Sequence, residues 1–441
     1  MSIIKLLSKK LKRNIFTTPS HNRIAYFSKQ YKNFYEDDYS EIEGYDNLSD
    51  PKNSILMSET RTAEILNAGH SYYITQGATS GILSAMKALL NPNDSVLVAR
   101  NCHKSVFNGL ILTGANVDWF MPESNAEWGI YTQIDPKKLN SILDINNYKA
   151  FIMTSPTYEG VNSDIEQIAK ICKSHKVYLI VDEAHGALNY FSNLLPKSAM
   201  EQGADVSILS LHKTAGALNQ TAILNVSKNI QGIEERAFQN AVNIFETTSP
   251  SYPLLANIEA CIQYLSSNKG KIQVDELFSD IIEFRNELTR FGIEFYDEKY
   301  HDSSKILLRK KGISGSALSD ILFDKYDIED EMTNSVSTLY LTGIGTTKSK
   351  LKNLQNALIN VPVDSSFEFE KVEFQPFPLV KIQPVGTFNQ KYDFVKKEDS
   401  VLKISNKLIM PYPPGIGLLY PGEAIQEWHL KYLDDNVEVI V

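Results

Sequence analysis

The chain has 441 residues, and 44 Lys+Arg against 53 Asp+Glu leave a formal net charge of −9. With 43% hydrophobic and 22% charged residues, its composition is that of a globular protein of two or three domains, which excludes wholesale disorder and a fibrous repeat. The acidic balance argues against a coat for nucleic acid or an anionic membrane, and no apolar run reaches the roughly 18 residues that suggest a bilayer span. Three scattered cysteines, Cys102, Cys172 and Cys261, form neither a disulfide framework nor a metal clip, which points to a reduced, cytoplasmic protein with no metal site.

The start departs from the acidic balance. Lys5, Lys9, Lys10, Lys12 and Arg13 alternate with Ile3, Ile4, Leu7 and Leu11 at helical spacing. Without a long apolar core or a cleavage site this reads as a helix packed on the body or a partner rather than as a targeting peptide. Ser58 is placed to cap a helix running to Gly69. Tyr72–Thr75 then reads as a strand, Thr79–Leu90 as a helix, and Ser95–Val98 and Ala150–Met153 as further strands. Asp164 opens a helix with Ile165, Ile168, Ala169 and Cys172 on one face. The unbroken apolar run Val177–Val181 has the pattern of a strand covered on both faces, and Asp205–Ser210 and Ala222–Val226 add two more. This alternation predicts an α/β fold with an open, mostly parallel sheet wrapped by helices. A long helix over Val274–Phe291, mixed elements with a helix at 348–358, and a Pro-rich tail, mostly loop, follow. The expected organisation is an arm (1–50), a large domain (51–270) and a smaller α+β domain with the tail (271–441).

Ligands of such sheets bind beyond the carboxyl ends of the strands, so the polar residues after each apolar run are the candidates. Gln76-Gly77-Ala78-Thr79-Ser80-Gly81 leads straight into a helix, a pattern that serves either as an ordinary capped N-terminus or as a phosphate site. Asp182, in Asp182-Glu183-Ala184-His185-Gly186, ends a fully apolar strand, where a carboxylate needs a cation, a helix to cap or a metal to offset its lost solvation. Lys213, in Ser210-Leu211-His212-Lys213-Thr214-Ala215-Gly216, follows another buried strand, and burial frees such an amine as a nucleophile for a Schiff base. Together the three demand a phosphate, a protonated ring nitrogen and an aldehyde. Pyridoxal 5′-phosphate carries all three.

With Asn101-Cys102-His103-Lys104, Thr154-Ser155-Pro156-Thr157-Tyr158-Glu159-Gly160, Thr248-Ser249-Pro250-Ser251-Tyr252, Glu41-Ile42-Glu43-Gly44-Tyr45-Asp46 and Pro411-Tyr412-Pro413-Pro414-Gly415, these motifs resemble the ornithine/lysine/arginine decarboxylases, in their shorter form without a receiver-like domain. The resemblance runs from about residue 5 to the C-terminus and is strongest over 70–255. It implies pyridoxal-phosphate fold type I, aspartate-aminotransferase-like, and Lys213 as the lysine bound to the cofactor. Asp182 would pair with the pyridinium, His103 would stack on the ring, and Ala78, Thr79, Ser80, Ser210 and His212 would hold the phosphate. Ser155 and His185 would complete the cofactor shell, and Ser249 or Ser251 would reach the phosphate of a neighbouring subunit in a homodimer or higher homo-oligomer.

The expected reaction is decarboxylation of a basic amino acid, arginine, lysine or ornithine, in the service of polyamine biosynthesis. Another reaction of the same cofactor, such as transamination or elimination, and a non-catalytic binding paralogue are the alternatives. His103 and Lys213 are candidates to return a proton to the α-carbon. The substrate's distal cation needs an anionic partner, for which Glu41, Asp46 and Glu423 are the candidates. The family pattern is departed from at Ser20, Leu211 and Asn406-Lys407, which bears on the choice of substrate.

Overall fold

The computed structural model of the chain describes residues 13–21, 38–39, 41–42, 44–234, 236–410 and 416–441. The basic N-terminal segment expected to be helical, apart from Arg13, and the Pro411–Gly415 motif lie outside the described residues. The apolar runs form a seven-stranded sheet of β1 (His70–Ile74), β2 (Ser95–Ala99), β3 (Asn116–Phe120), β4 (Ala150–Thr154), β5 (Tyr178–Asp182), β6 (Val206–Ser210) and β7 (Ala222–Val226). Their order is β1-β7-β6-β5-β4-β2-β3. Pairing is parallel from β3 through β6, while β7 runs antiparallel to both β6 and β1. Its direction follows from the short link over 211–221, too short for the crossover of a dozen or more residues that a parallel pair needs. The sheet is buried on both faces: Val98, Leu179, Val206, Ile208 and Leu224 have no exposed surface. Burying each such side chain stabilises the fold by about 1.5–3 kcal/mol.

Register then sets the site. Thr154 pairs with Asp182, and Ala222 pairs with both Ser210 and Ile74, so the polar ends of β4, β5 and β6 and the end of β1 share one edge. The expected helix opened by Asp164 is present as Ile165–Ser174, with Asp164 accepting the Gln167 N–H at 3.0 Å and Ile165, Ile168 and Cys172 buried. The helix placed at Ser58 starts instead at Ser54 and ends at Ile65, with Asn67 taking the left-handed conformation beyond its end. Gly69 instead lies just before the strand, its N–H bonded to Val226 O at 2.7 Å.

A second, antiparallel sheet has the order β8 (Ile293–Phe295), β9 (Lys305–Lys310), β11 (Thr338–Leu341) and β10 (Met332–Thr333). The long helix before it spans Asn268–Thr289, beginning at a Ser267 cap rather than at Val274. Asn14–Ile15 pair with Ile328–Glu329, and Phe16 is buried edge-on against Tyr340 with ring centroids 5.5 Å apart. The tail, expected to be mostly loop, contributes the antiparallel pair β12 (Tyr392–Lys396) and β13 (Asn436–Ile440). All three cysteines are buried and free. Among the described residues no helix is long and apolar enough to cross a membrane.

Candidate active site

Helix α1 (Gly77–Leu89) follows β1 after Thr75 and Gln76, at a turn where Gly77 has φ +83°, a conformation that favours glycine. No side chain caps its N-terminus, so the first-turn N–H groups of Gly77, Ala78 and Thr79 open onto a cavity of about 500 Å³. Across the cavity His103 caps helix α2 (Lys104–Thr113). Its Nδ1 accepts the Ser105 N–H at 3.2 Å, which leaves the neutral ring's proton on Nε2. Asp182 ends β5 and is buried, with Oδ1 accepting the Ala184 N–H at 3.1 Å. Among the described residues it has no ion-pair partner. Ser210, His212 and Lys213 follow from β6 through a single helical turn, Leu211–Thr214. Lys213 Nζ lies 2.9 Å from His185 Nε2.

The cavity thus brings together Ala78, Thr79, His103, Asp182, His185, Ser210, His212 and Lys213. It leaves others out. Ser80 turns away to donate to Phe245 O at 3.2 Å, and Ser155 is buried behind the wall, its Oγ accepting the Ser163 N–H at 3.1 Å. Ser249 is exposed and Ser251 half-buried, and neither lines the cavity of its own chain. Glu41 is half-buried and also lies outside it.

Two of the substrate carboxylates need correcting. Asp46 is buried and accepts the N–H groups of Asn47, Lys52, Asn53 and Ile55 at 2.8–3.0 Å, so it caps the helix Ser54–Ile65. Those four donors hold its carboxyl below the ordinary range although burial opposes them. Glu423 is 2% exposed and paired with Arg100 at 2.9 Å. Neither carboxylate has a free face for a ligand.

Burial also sets the protonation of the cavity wall. It pulls Lys213 below the usual lysine range, against the attraction of Asp182 and Glu331, and it lowers His103, His185 and His212, the last to about 4. These imidazoles are therefore neutral at pH 7. Three contributors escaped the sequence reading. Glu331, in the turn before β10, lines the cavity, accepts the Thr18 N–H at 3.3 Å and is hydrogen-bonded by Tyr158. Lys305 opens β9 and lies 2.9 Å from His185 Nδ1. The only sequence signal for it is a lysine heading the apolar run Ile306-Leu307-Leu308; Glu331 carries none, and Tyr158 lies in the motif Thr154–Gly160 without being singled out there.

The family model for the major domain of Orn/Lys/Arg decarboxylases matches residues 5–300, and that for their C-terminal domain matches residues 373–439. The chain belongs to the Orn/Lys/Arg decarboxylase family. Among its relatives are an arginine decarboxylase of Bacillus anthracis, 30% identical over 91% of this chain and 84% of that one, and an arginine decarboxylase of Halalkalibacterium halodurans, 30% identical over 96% and 90%. In fold it is similar to lysine decarboxylase A from Pseudomonas aeruginosa, with a TM-score of 0.79, 20% identity, and coverage of 94% of this chain and 72% of that one. Membership makes the chain an amino-acid carboxy-lyase of a pyridoxal-phosphate-dependent family, and the fold is fold type I.

The cavity fits that cofactor on its own observations. A decarboxylase of this family needs an anion site, and the uncapped start of α1 provides one. It needs a carboxylate for a cationic ring nitrogen, and Asp182 is buried with no ion-pair partner among the described residues. It needs an amine, and Lys213 faces the same space. Two further buried atoms on the wall, Asn101 Oδ1 and Thr154 Oγ1, have no hydrogen-bond partner among the described residues, as expected of a cavity shaped for a polar occupant.

Proposed function

We propose that this chain decarboxylates a basic amino acid, arginine, lysine or ornithine, with pyridoxal phosphate bound in the cavity around Lys213. The observation that carries the reading is the convergence of Lys213, Asp182, His103 and the open start of α1 on one 500 Å³ cavity. Relatives named arginine decarboxylases, aligned over nine-tenths of the chain, make arginine the first substrate to test.

When bound, the cofactor supplies an aldehyde and a pyridine ring that withdraws the electron pair left as CO₂ departs. The rest falls to the protein. Lys213 offers the amine for the aldehyde. Asp182 holds the ring nitrogen's proton, and the N–H groups of Ala78 and Thr79, with Ser210 and His212, hold the phosphate. His103, neutral with its proton on Nε2, and Lys213 are placed to return a proton to the α-carbon.

Of the three carboxylates considered for the distal cation, Glu41 is the one left uncommitted; because it lies outside its own chain's cavity, we assign it that role toward the cavity of a partner copy. Ser249 and Ser251 are assigned to the phosphate of a partner copy, making the working unit a homodimer, and the enzyme is placed in cytoplasmic polyamine biosynthesis. Sedimentation of the cofactor-loaded protein, and mixed dimers of Lys213→Ala with Ser249→Ala/Ser251→Ala chains, test the shared site. Partial recovery of activity on mixing supports it, and none refutes it.

A further inference from the structure

A second cavity, of about 260 Å³, adjoins the first at Tyr158 and Ile416, which line both. The turn after β4, closed by the Gly160 N–H on Thr157 O at 3.0 Å, carries Glu159 into its wall. Glu159 is 6% exposed and makes no ion pair among the described residues. Lys305, whose charge favours it, is turned instead to His185 Nδ1 at 2.9 Å. Thr157 Oγ1 accepts the Val161 N–H at 3.2 Å, which leaves its own proton for the Glu159 carboxylate. One hydroxyl does not replace the solvation such a carboxylate loses, and a cation would.

The rest of the wall suits an organic cation. Six aromatic side chains face it: Tyr131, Tyr158, Phe374, Phe377, Trp428 and Tyr432. Tyr131 meets Phe374 edge-on, with ring centroids 5.0 Å apart. Aromatic rings attract a cation and cover its alkyl body. Glu373, exposed, adds a second carboxylate. The positive groups on the wall are committed or outside. Arg100 is paired with Glu423 at 2.9 Å and donates to Gly417 O and Leu418 O. Its Nε and Trp428 Nε1 have no partner among the described residues, but both atoms are enclosed and add no uncompensated charge. Lys431 is exposed and lies 4.9 Å from the Tyr432 ring centroid. A ligand carboxylate would find no buried, uncommitted cation here.

We infer that this second cavity binds an alkyl guanidinium or ammonium that lacks a carboxylate, with Glu159 as its counter-ion and the aromatic side chains as its cage. The chemistry selects amines over amino acids, because the same wall that attracts the cation offers a carboxylate two like charges. The site is separate from the Lys213 cavity, and the inference does not depend on the reaction assigned there. Four of the six aromatic residues come from the segment that matches the family's C-terminal domain, which gives the tail a binding role beside its structural one.

The test titrates full-length, pyridoxal-phosphate-loaded protein with butylguanidine and with Nα-acetylarginine, following heat and tryptophan fluorescence. The two probes share a guanidinium on an alkyl chain, only the second has a carboxylate, and neither has a free amine to react with the cofactor. Butylguanidine should bind at least about tenfold more tightly than Nα-acetylarginine, the value of one charge-assisted contact, and its fluorescence change should be lost in Trp428→Phe. Glu159→Gln should weaken it about tenfold or more. Tyr432→Ala, on the exposed rim where folding is not at stake, should weaken it about threefold. No binding overturns the proposal, as does equal affinity for the two probes. Binding unchanged in both Glu159→Gln and Tyr432→Ala places the probe in the Lys213 cavity and also overturns it. Should Glu159→Gln not fold, the preference between probes and Tyr432→Ala decide the matter. If the protein takes up no pyridoxal phosphate, the Lys213 reading fails, while the same titration of cofactor-free protein still tests this cavity.

Discussion

Glu423 separates two accounts of the C-terminal tail. As a substrate carboxylate its loss would raise KM and leave folding intact. In the structure it is 2.9 Å from Arg100 Nη2 and accepts the Tyr420 N–H at 2.8 Å, with both charged side chains at most 3% exposed. Arg100 also donates to Gly417 O at 2.6 Å and Leu418 O at 3.2 Å, and its guanidinium lies 4.4 Å from the Tyr420 ring centroid. The pair therefore clamps residues 417–423 beside the cavity, next to the bridge between His103 and Ile416. Glu423→Gln keeps the shape and an acceptor for Tyr420 but leaves the buried Arg100 charge with neutral partners alone. Breaking one side of a buried ion pair costs about 3–5 kcal/mol, and the acceptors that remain place this case near the lower end. Denaturant unfolding of cofactor-loaded protein should show a loss of about 3 kcal/mol, with KM unchanged at a temperature where the variant is folded. Because an apolar pair can replace a buried ion pair at little cost, Arg100→Met/Glu423→Met should recover part of that loss. A raised KM with stability intact would refute the reasoning.

Asp46→Ala removes the acceptor for the N–H groups of Lys52, Asn53 and Ile55 and should cost about 1–2 kcal/mol of stability without moving KM, read by unfolding and steady-state kinetics. Glu183 is buried, accepts from Ala199 N and Tyr190 OH, and is pushed up to about 8 by desolvation. The folded state thus holds a proton that the unfolded chain releases above the ordinary carboxylate range, so this contribution is present in acid and lost as pH rises through about 8. The stability of Glu183→Gln relative to wild type should therefore grow from about pH 5 to about pH 8 and then level off, and a pH-independent difference contradicts the assignment. Lys213→Ala should abolish both the visible absorbance of bound pyridoxal phosphate and CO₂ release while leaving far-UV circular dichroism unchanged; a surviving covalent chromophore would move the amine elsewhere. Asp182→Ala should weaken cofactor retention about 10- to 100-fold, the value of one charge-assisted hydrogen bond, measured by equilibrium dialysis.

What could be read from the sequence was what local pattern determines. Asp182 and Lys213 stand out because one ends an unbroken apolar strand and the other follows a buried one, where packing offers no use for a charge. The helix at Asp164 was legible from its cap and its apolar face. Features set by distant partners were not. Asp46 looked like an arm carboxylate, yet its role depends on a turn that returns Lys52–Ile55 to it, which also explains why that helix begins at Ser54 rather than Ser58. Glu423 is committed by Arg100, more than 300 residues away in sequence. Lys305, from the second sheet, meets His185 behind the cavity wall, and Glu331, from the turn before β10, lines the cavity; nothing in their local sequence points to either contact. Glu183 follows Asp182 directly but faces away from it, as alternate residues at a strand end do, so one motif supplies a cavity carboxylate and a core carboxylate.

The central claim is decarboxylation of a basic amino acid at the Lys213 cavity. The direct measurement is incubation of pyridoxal-phosphate-loaded protein with carboxyl-labelled arginine, lysine and ornithine in turn, trapping CO₂ and identifying the amine. The account predicts label in the trap with at least one of the three, arginine first, accompanied by agmatine or the matching diamine and absent in Lys213→Ala. Cofactor bound through Lys213 but no CO₂ from any of the three would contradict it.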